Sequence, residues 1–218
     1  MATTTTATTE SPADAEASPQ GSPRVRLNIP NGVHPKVDLE GFQRLCEEPD
    51  NRDLRLERNA DGGLIVMTPA SSDSGERNLE LSGQLRNWNK ANRLGRAYDS
   101  SAGFTLPNSA VLSPDAAWIA HERWNALSPE ARLGFARIVP DFVAELLSPS
   151  DSLATTRAKM AEYIAQGVRL GWLIDPATRT VEISRPGRDV ETLTKPATLS
   201  GEDVLPGLTL DLKGILFD

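Results

Sequence analysis

Asp115 in Ser113-Pro114-Asp115, Glu145 at the end of Pro140-Asp141-Phe142-Val143-Ala144-Glu145, and Lys159 in the segment that follows bear the side chains of a metal-assisted hydrolase. Carboxylate oxygens are what hard divalent cations take as ligands, and an amine can orient a nucleophile or offset developing negative charge. Glu145 is the single charge within the apolar run Phe142 to Leu147. An ionised group in such a run loses its hydration unless a metal or a lysine pairs with it. Strand alternation sets Asp141, Val143, Glu145 and Leu147 on one face, so Glu145 can look into a cleft while its neighbours enter the core. In the next segment Thr156, Lys159, Tyr163 and Gln166 share one side of a helix, with Leu153, Met160, Ala161 and Ile164 as its apolar stripe. That spacing turns Lys159 toward the sheet edge beside Glu145.

Each of these residues also has an ordinary structural use. A strand carboxylate pairs with a basic side chain, a helix lysine is commonly solvated, and Ser-Pro-Asp is common turn chemistry. Asn78 reads as a helix-surface amide, and Ser148 with Asp151 as caps for the following helix.

The elements that must position these groups are legible as patterns. Asp38 caps a short helix with Leu39, Phe42, Leu45 and Cys46 inward, ended by Pro49. Leu54 to Arg58 and Leu64 to Met67 flank the turn-rich Asn59-Ala60-Asp61-Gly62-Gly63 and form a β-hairpin. Leu79, Leu81, Leu85 and Trp88 mark a long helix from Glu76 to Ala91. Arg96 to Ser100, Phe104 to Leu106 and Ala116 to Ile119 are short strands of a curved, mixed sheet, with a turn at Pro107-Asn108. Ser128 before Pro129 opens a short helix, and Phe142 to Leu147 is a central strand. A second long helix runs from Leu153 to Gln166, capped by Ser152 or Ser150 and stopped at Gly167. Leu170 to Ile174, Thr180 to Ser184 and Val190 to Leu193 complete a meander, and Leu205-Pro206-Gly207-Leu208 closes the C-terminal segment.

Composition bounds the rest. The 218 residues suit one globular domain, residues 24–218, behind a Thr/Ala/Ser/Pro-rich tail, residues 1–23, expected to be disordered. No run approaches the roughly 18 apolar residues of a membrane span, and the start lacks the basic and apolar parts of a secretory signal. A cytoplasmic location without membrane partners is the resulting expectation. With Cys46 as the only cysteine and His34 and His121 as the only histidines, any metal chemistry falls to oxygen ligands. The net charge of -7 opposes nonspecific binding of nucleic acid, although Glu10, Asp14 and Glu16 of the tail contribute three of those charges. Arg77, Arg86, Lys90, Arg93 and Arg96 gather around the first long helix, as phosphate contacts or as a solvated face.

Ser113-Pro114-Asp115-Ala116-Ala117-Trp118-Ile119 and Pro140-Asp141-Phe142-Val143-Ala144-Glu145-Leu146-Leu147-Ser148-Pro149-Ser150-Asp151 together resemble the Uma2 family. Lys159-Met160-Ala161-Glu162-Tyr163, Gly167-Val168, Gly171-Trp172-Leu173-Ile174-Asp175-Pro176, Val181-Glu182-Ile183 and Leu205-Pro206-Gly207-Leu208 continue the likeness, which spans Val37 to Asp218. That family belongs to the restriction-endonuclease-like superfamily with its PD-(D/E)XK signature. The resemblance therefore implies an α/β (α+β) restriction-endonuclease-like fold, a central curved mixed sheet flanked by helices with an N-terminal hairpin. It implies that Asp115 and Glu145 bind Mg2+ or Mn2+. The superfamily lysine stands two residues after the second acid, where this chain has Leu147, and the resemblance offers Lys159 as its migrated equivalent. Asn78 matches a helix position at which family members carry polar residues, and with Tyr163 it is a candidate for touching substrate or supporting the metal ligands.

The implied activity is endonucleolytic hydrolysis of nucleic-acid phosphodiesters, DNA above RNA, in an enzyme for which a homodimer would place two sites on opposite strands. The acidic balance and displaced lysine suit an alternative, a catalytically inactive nuclease-like module that binds nucleic acid or protein. A two-carboxylate glycosidase is a remote third reading, which needs neither metal nor lysine.

Overall fold

Asp38 starts the first helix as its pattern predicts. Its Oδ1 accepts the Gly41 N–H at 2.7 Å, and the helix α1 (Leu39–Glu47) buries Phe42. The computed structural model describes residues 35–67 and 69–217. The tail expected over residues 1–23, and the domain start at Arg24, lie outside the described residues. The described residues fall within one compact unit.

After a 3-10 turn at Pro49–Asn51, strands β1 (Arg55–Arg58) and β2 (Leu64–Met67) pair as the expected antiparallel hairpin. Helix α2 (Ser72–Asn92) follows, then β3 (Gly95–Asp99), β4 (Phe104–Thr105), β5 (Val111–Leu112) and β6 (Ala116–Ala120). Helix α3 (His121–Asn125) leads to a 3-10 turn at Glu130–Arg132, whose Ala131 N–H is accepted by Ser128 Oγ at 3.2 Å. Strand β7 (Phe142–Leu146), helix α4 (Leu153–Gln166), β8 (Leu170–Asp175), β9 (Thr180–Ser184) and β10 (Glu191–Thr194) come next. A small pair, β11 (Thr198–Ser200) and β12 (Thr209–Asp211), follows.

The central sheet has the order β10-β9-β8-β7-β6-β3. It is mixed because β7 and β8 run parallel, joined by α4 as a crossover, while the other neighbours are antiparallel. A second sheet, β2-β1-β5-β4, is built on the hairpin. This corrects the expected place of Phe104 to Leu106, which pairs with Val111–Leu112 rather than entering the central sheet. A two-residue strand such as β5 is too short to show a period, so its partner could not be assigned by pattern.

Alternating strand residues divide the core between the faces of the central sheet. Trp118, Phe142, Ala144 and Trp172 pack with Leu81 and Leu85 of α2 and with Leu210, Leu212 and Ile215. Ala117, Ile119, Val143 and Leu173 pack with Met160 and Tyr163 of α4. Each fully buried leucine here is worth roughly 2 kcal/mol of transfer free energy. Helix α4 has its predicted bounds, with Ser152 accepting from Thr155 N–H and Gly167 at φ 113° ending it in the left-handed region. Its buried face differs from the predicted stripe, for Ala161 is exposed and Tyr163 is buried. The helix is rolled so that Met160 and Tyr163 point at the sheet, and Lys159 lies at the border of that face.

Candidate active site

The turn Ser113-Pro114-Asp115 delivers Asp115 to the start of β6. Ala116 is paired with Ala144 across the β6–β7 ladder, so the residues just beyond them, Asp115 and Glu145, stand side by side. Asp115 Oδ2 accepts the Leu146 N–H at 2.8 Å, and its Oδ1 accepts Asn78 Nδ2 from α2 at 3.1 Å. Two elements thus fix the rotamer of one carboxylate. Asn78 Oδ1 is buried and has no hydrogen-bond partner.

Glu145 alternates with Ala144 and Leu146 and faces α4, as the strand period requires. Lys159 Nζ lies 2.9 Å from Glu145 Oε1, and the Tyr163 hydroxyl donates to the same oxygen at 3.1 Å. A third carboxylate completes the group. Glu57 of β1 accepts Lys159 Nζ on Oε1 at 3.0 Å and the Ser113 N–H at 2.7 Å, and Lys159 also reaches the Ser113 carbonyl at 3.4 Å.

Burial raises the Asp115 carboxyl above its ordinary range, against the opposing pull of the Leu146 N–H, Asn78 and Lys159. Burial likewise pushes Glu145 up to about 8, with Lys159 opposing and Asp115 and Glu57 adding repulsion. For Lys159 burial disfavours the charge, but Glu145 and Glu57 outweigh it and hold the ammonium above the usual lysine range. Burial and the same carboxylates keep Tyr163 a neutral phenol, able to donate. The cluster therefore holds more carboxylates than its one lysine neutralises.

The structure brings together Asp115, Glu145, Lys159, Asn78 and Tyr163, the five positions singled out in the sequence. Ser148 and Asp151 stay apart from them, closing their own turn with a 2.8 Å bond from Ser148 N–H to Asp151 Oδ2. Of the basic residues near α2, Arg77 donates to the Ile215 carbonyl, Arg96 stacks over Trp124 at 4.9 Å, and Arg86, Lys90 and Arg93 are exposed. Glu57 escaped the sequence reading. Its only signal is alternation in β1, which sets Arg55 and Glu57 opposite the buried Leu56. Arg55 donates to the Ser100 carbonyl at 2.5 Å, and its charge also acts on Asp115.

Among the described residues no group of three or more His, Cys, Asp or Glu side chains is arranged as a ready metal cage. The all-oxygen pair of Asp115 and Glu145, with Asn78 holding one of the Asp115 oxygens, nevertheless suits a hard cation that keeps most of its water. Two neighbouring carboxyls whose ionisation is suppressed by burial would gain from such a charge. No helix among the described residues is long and apolar enough to cross a membrane.

No curated protein matches this chain. Among solved structures it is similar to a protein of Anabaena variabilis described as "a putative nuclease belonging to DUF820". The identity is 21%, the match covers 83% of this chain and 97% of the other, and the TM-score is 0.69, so the two share a fold. Residues 39–213 match the Uma2 family, described as "Putative restriction endonuclease". The mixed sheet flanked by helices, the paired strand-end carboxylates and this match over most of the chain place it in the Uma2 family.

Proposed function

We propose that this protein is an endonuclease that hydrolyses nucleic-acid phosphodiesters, DNA in the first instance, with Mg2+ or Mn2+ held by Asp115 and Glu145. One observation carries the reading: Asp115 and Glu145 adjoin at the ends of β6 and β7, side by side on neighbouring strands. The family description agrees with it. Bound between the two carboxylates, the cation would supply Lewis acidity toward a phosphodiester and its attacking water. Leu146 N–H and Asn78 hold Asp115 in one rotamer, and Tyr163 does the same for Glu145. Lys159, kept protonated by two carboxylates, is a donor to charge developing on the phosphate and not a general base. The acidic net charge makes cation binding a precondition for approach of a polyanion. A cytoplasmic enzyme, paired two-fold so that two sites face opposite strands, completes the proposal.

A catalytically inactive interaction module is the second reading, and the Lys159–Glu145 contact favours it, since the amine sits on an oxygen that a metal ligand would offer. Cleavage of plasmid and oligonucleotide substrates with Mg2+ or Mn2+, with a chelator control, separates the two. Wild-type cleavage that Asp115→Asn, Glu145→Gln and Lys159→Ala each abolish is the expected result. Activity untouched by all three substitutions rejects the site.

A further inference from the structure

We propose that Glu57 is the positioning residue of this site, its Oε1 tying the turn that presents Asp115 to the lysine on α4. The proposal rests on the nuclease reading above and adds to it a residue from a different sheet. Glu57 is 3% exposed, and a single oxygen of its carboxylate accepts both Ser113 N–H at 2.7 Å and Lys159 Nζ at 3.0 Å. Lys159 closes a triangle by reaching the Ser113 carbonyl at 3.4 Å. The strand carrying Glu57 is delivered by the hairpin sheet, in which Arg58 pairs with Val111 of β5 just ahead of Ser113.

A lysine on a helix has four side-chain torsions, and the contact to Glu145 with only a long 3.4 Å approach to the Ser113 carbonyl leaves it room to swing around that oxygen. The Glu57 contact removes that freedom and sets Lys159 at a fixed offset from Asp115. Reacting groups misplaced by about 1 Å lose on the order of 100-fold in rate, so an acceptor that fixes two partners matters to turnover more than to binding. The competing role is plain neutralisation of the Lys159 charge, which any nearby carboxylate would provide.

Two substitutions in the full chain separate placement from charge. Glu57→Gln keeps the Oε1 acceptor and discards the charge, whereas Glu57→Asp keeps the charge and withdraws the acceptor by one methylene. Turnover of a DNA oligonucleotide with Mn2+ is expected to stay within about threefold of wild type in Glu57→Gln and to fall about 100-fold in kcat, at unchanged KM, in Glu57→Asp. NMR relaxation of the Lys159 ε-methylene gives a readout free of catalysis: ordered in wild type and Glu57→Gln, as mobile as an exposed lysine in Glu57→Asp. An ordered Lys159 in Glu57→Asp, a loss borne by KM, or a Glu57→Gln variant as impaired as Glu57→Asp overturns the proposal. If Glu57→Asp does not fold, loss of Lys159 order in Glu57→Gln overturns it and retained order supports it. A wild type that cleaves with neither cation refutes the nuclease reading, and the relaxation comparison then decides the role of Glu57.

Discussion

Lys159 Nζ lies 2.9 Å from Glu145 Oε1, joining α4 to a central strand of the main sheet. Despite that contact the Glu145 carboxyl is raised from 4.5 to about 8, because burial outweighs the neighbouring ammonium. A carboxyl with a raised folded pKa binds its proton more tightly when folded, so its contribution to stability is complete below pH 4.5 and is lost as pH rises through about 8. Without divalent cation, thermal stability is expected to fall across that window, and Glu145→Gln to flatten the fall. Added Mg2+ or Mn2+ is expected to flatten it too, by stabilising the ionised form. Melting temperatures at several pH values check this. An identical slope in wild type and Glu145→Gln would show that Glu145 titrates as an ordinary surface group.

Removal of the amine exposes the electrostatic debt of the cluster. Measured above about pH 8, where Glu145 is ionised, Lys159→Met fills similar volume but leaves Glu57 and Glu145 buried without their cation. Breaking such a pair from one side costs about 3 kcal/mol, and the double variant Lys159→Met, Glu145→Gln is expected to recover part of it. Urea unfolding measures both. A loss below about 1 kcal/mol in the single variant would mean that the pair behaves as a solvated one.

Asn78 acts through Asp115. With Asn78→Ala the carboxylate keeps the Leu146 N–H but loses its second anchor at Oδ1. Groups that hold a metal ligand in place are typically worth 10- to 100-fold in affinity, so Mn2+ binding measured by titration is expected to weaken about 10-fold. Unchanged affinity with unchanged melting would assign Asn78 to the surface of α2 alone.

What the sequence revealed of this arrangement follows from the range of each signal. Alternation over Phe142 to Leu147 is local, and it turned Glu145 toward the helix that carries Lys159 correctly. Helix α4 was readable to the residue because Ser152 and Gly167 mark both ends. Helix α2 begins at Ser72, ahead of the predicted Glu76, because Ser72-Asp73-Ser74-Gly75 contains no apolar residue and a hydrophobic period cannot register that turn. Helix α3 follows β6 directly with no capping side chain, so nothing announced it. Glu57 was hidden for a different reason: its partners are far along the chain, and a charged residue in a short hairpin strand reads as solvent-facing until the second sheet is folded against the first. Carboxylates set by neighbouring strands could be foreseen, whereas the one contributed by a separate sheet could not.

Gly171 lies in β8 beneath α4, where an added Cβ would overlap Met160 Sδ. The missing side chain lets the helix settle on the sheet, and Met160 is followed within one turn by Tyr163, both almost fully buried. Methionine is flexible and can yield, but here it must yield inside a packed layer that includes Val143 and Leu173, so Gly171→Ala is expected to cost about 1–3 kcal/mol. Lys159 precedes Met160 in the chain, and lifting the helix at that point draws Nζ away from Glu145 and Glu57 together. Nuclease turnover is then expected to drop by more than tenfold with little change in KM, as for other misplacements of a reacting group. Pairing Gly171→Ala with Met160→Ala removes the overlapping sulfur and is expected to restore turnover more fully than stability, since the cavity left behind still costs packing energy. Stability and kcat measured on both variants decide it. A Gly171→Ala protein that is destabilised yet turns over like wild type would mean that Lys159 is seated by its carboxylate partners independently of how closely α4 approaches the sheet.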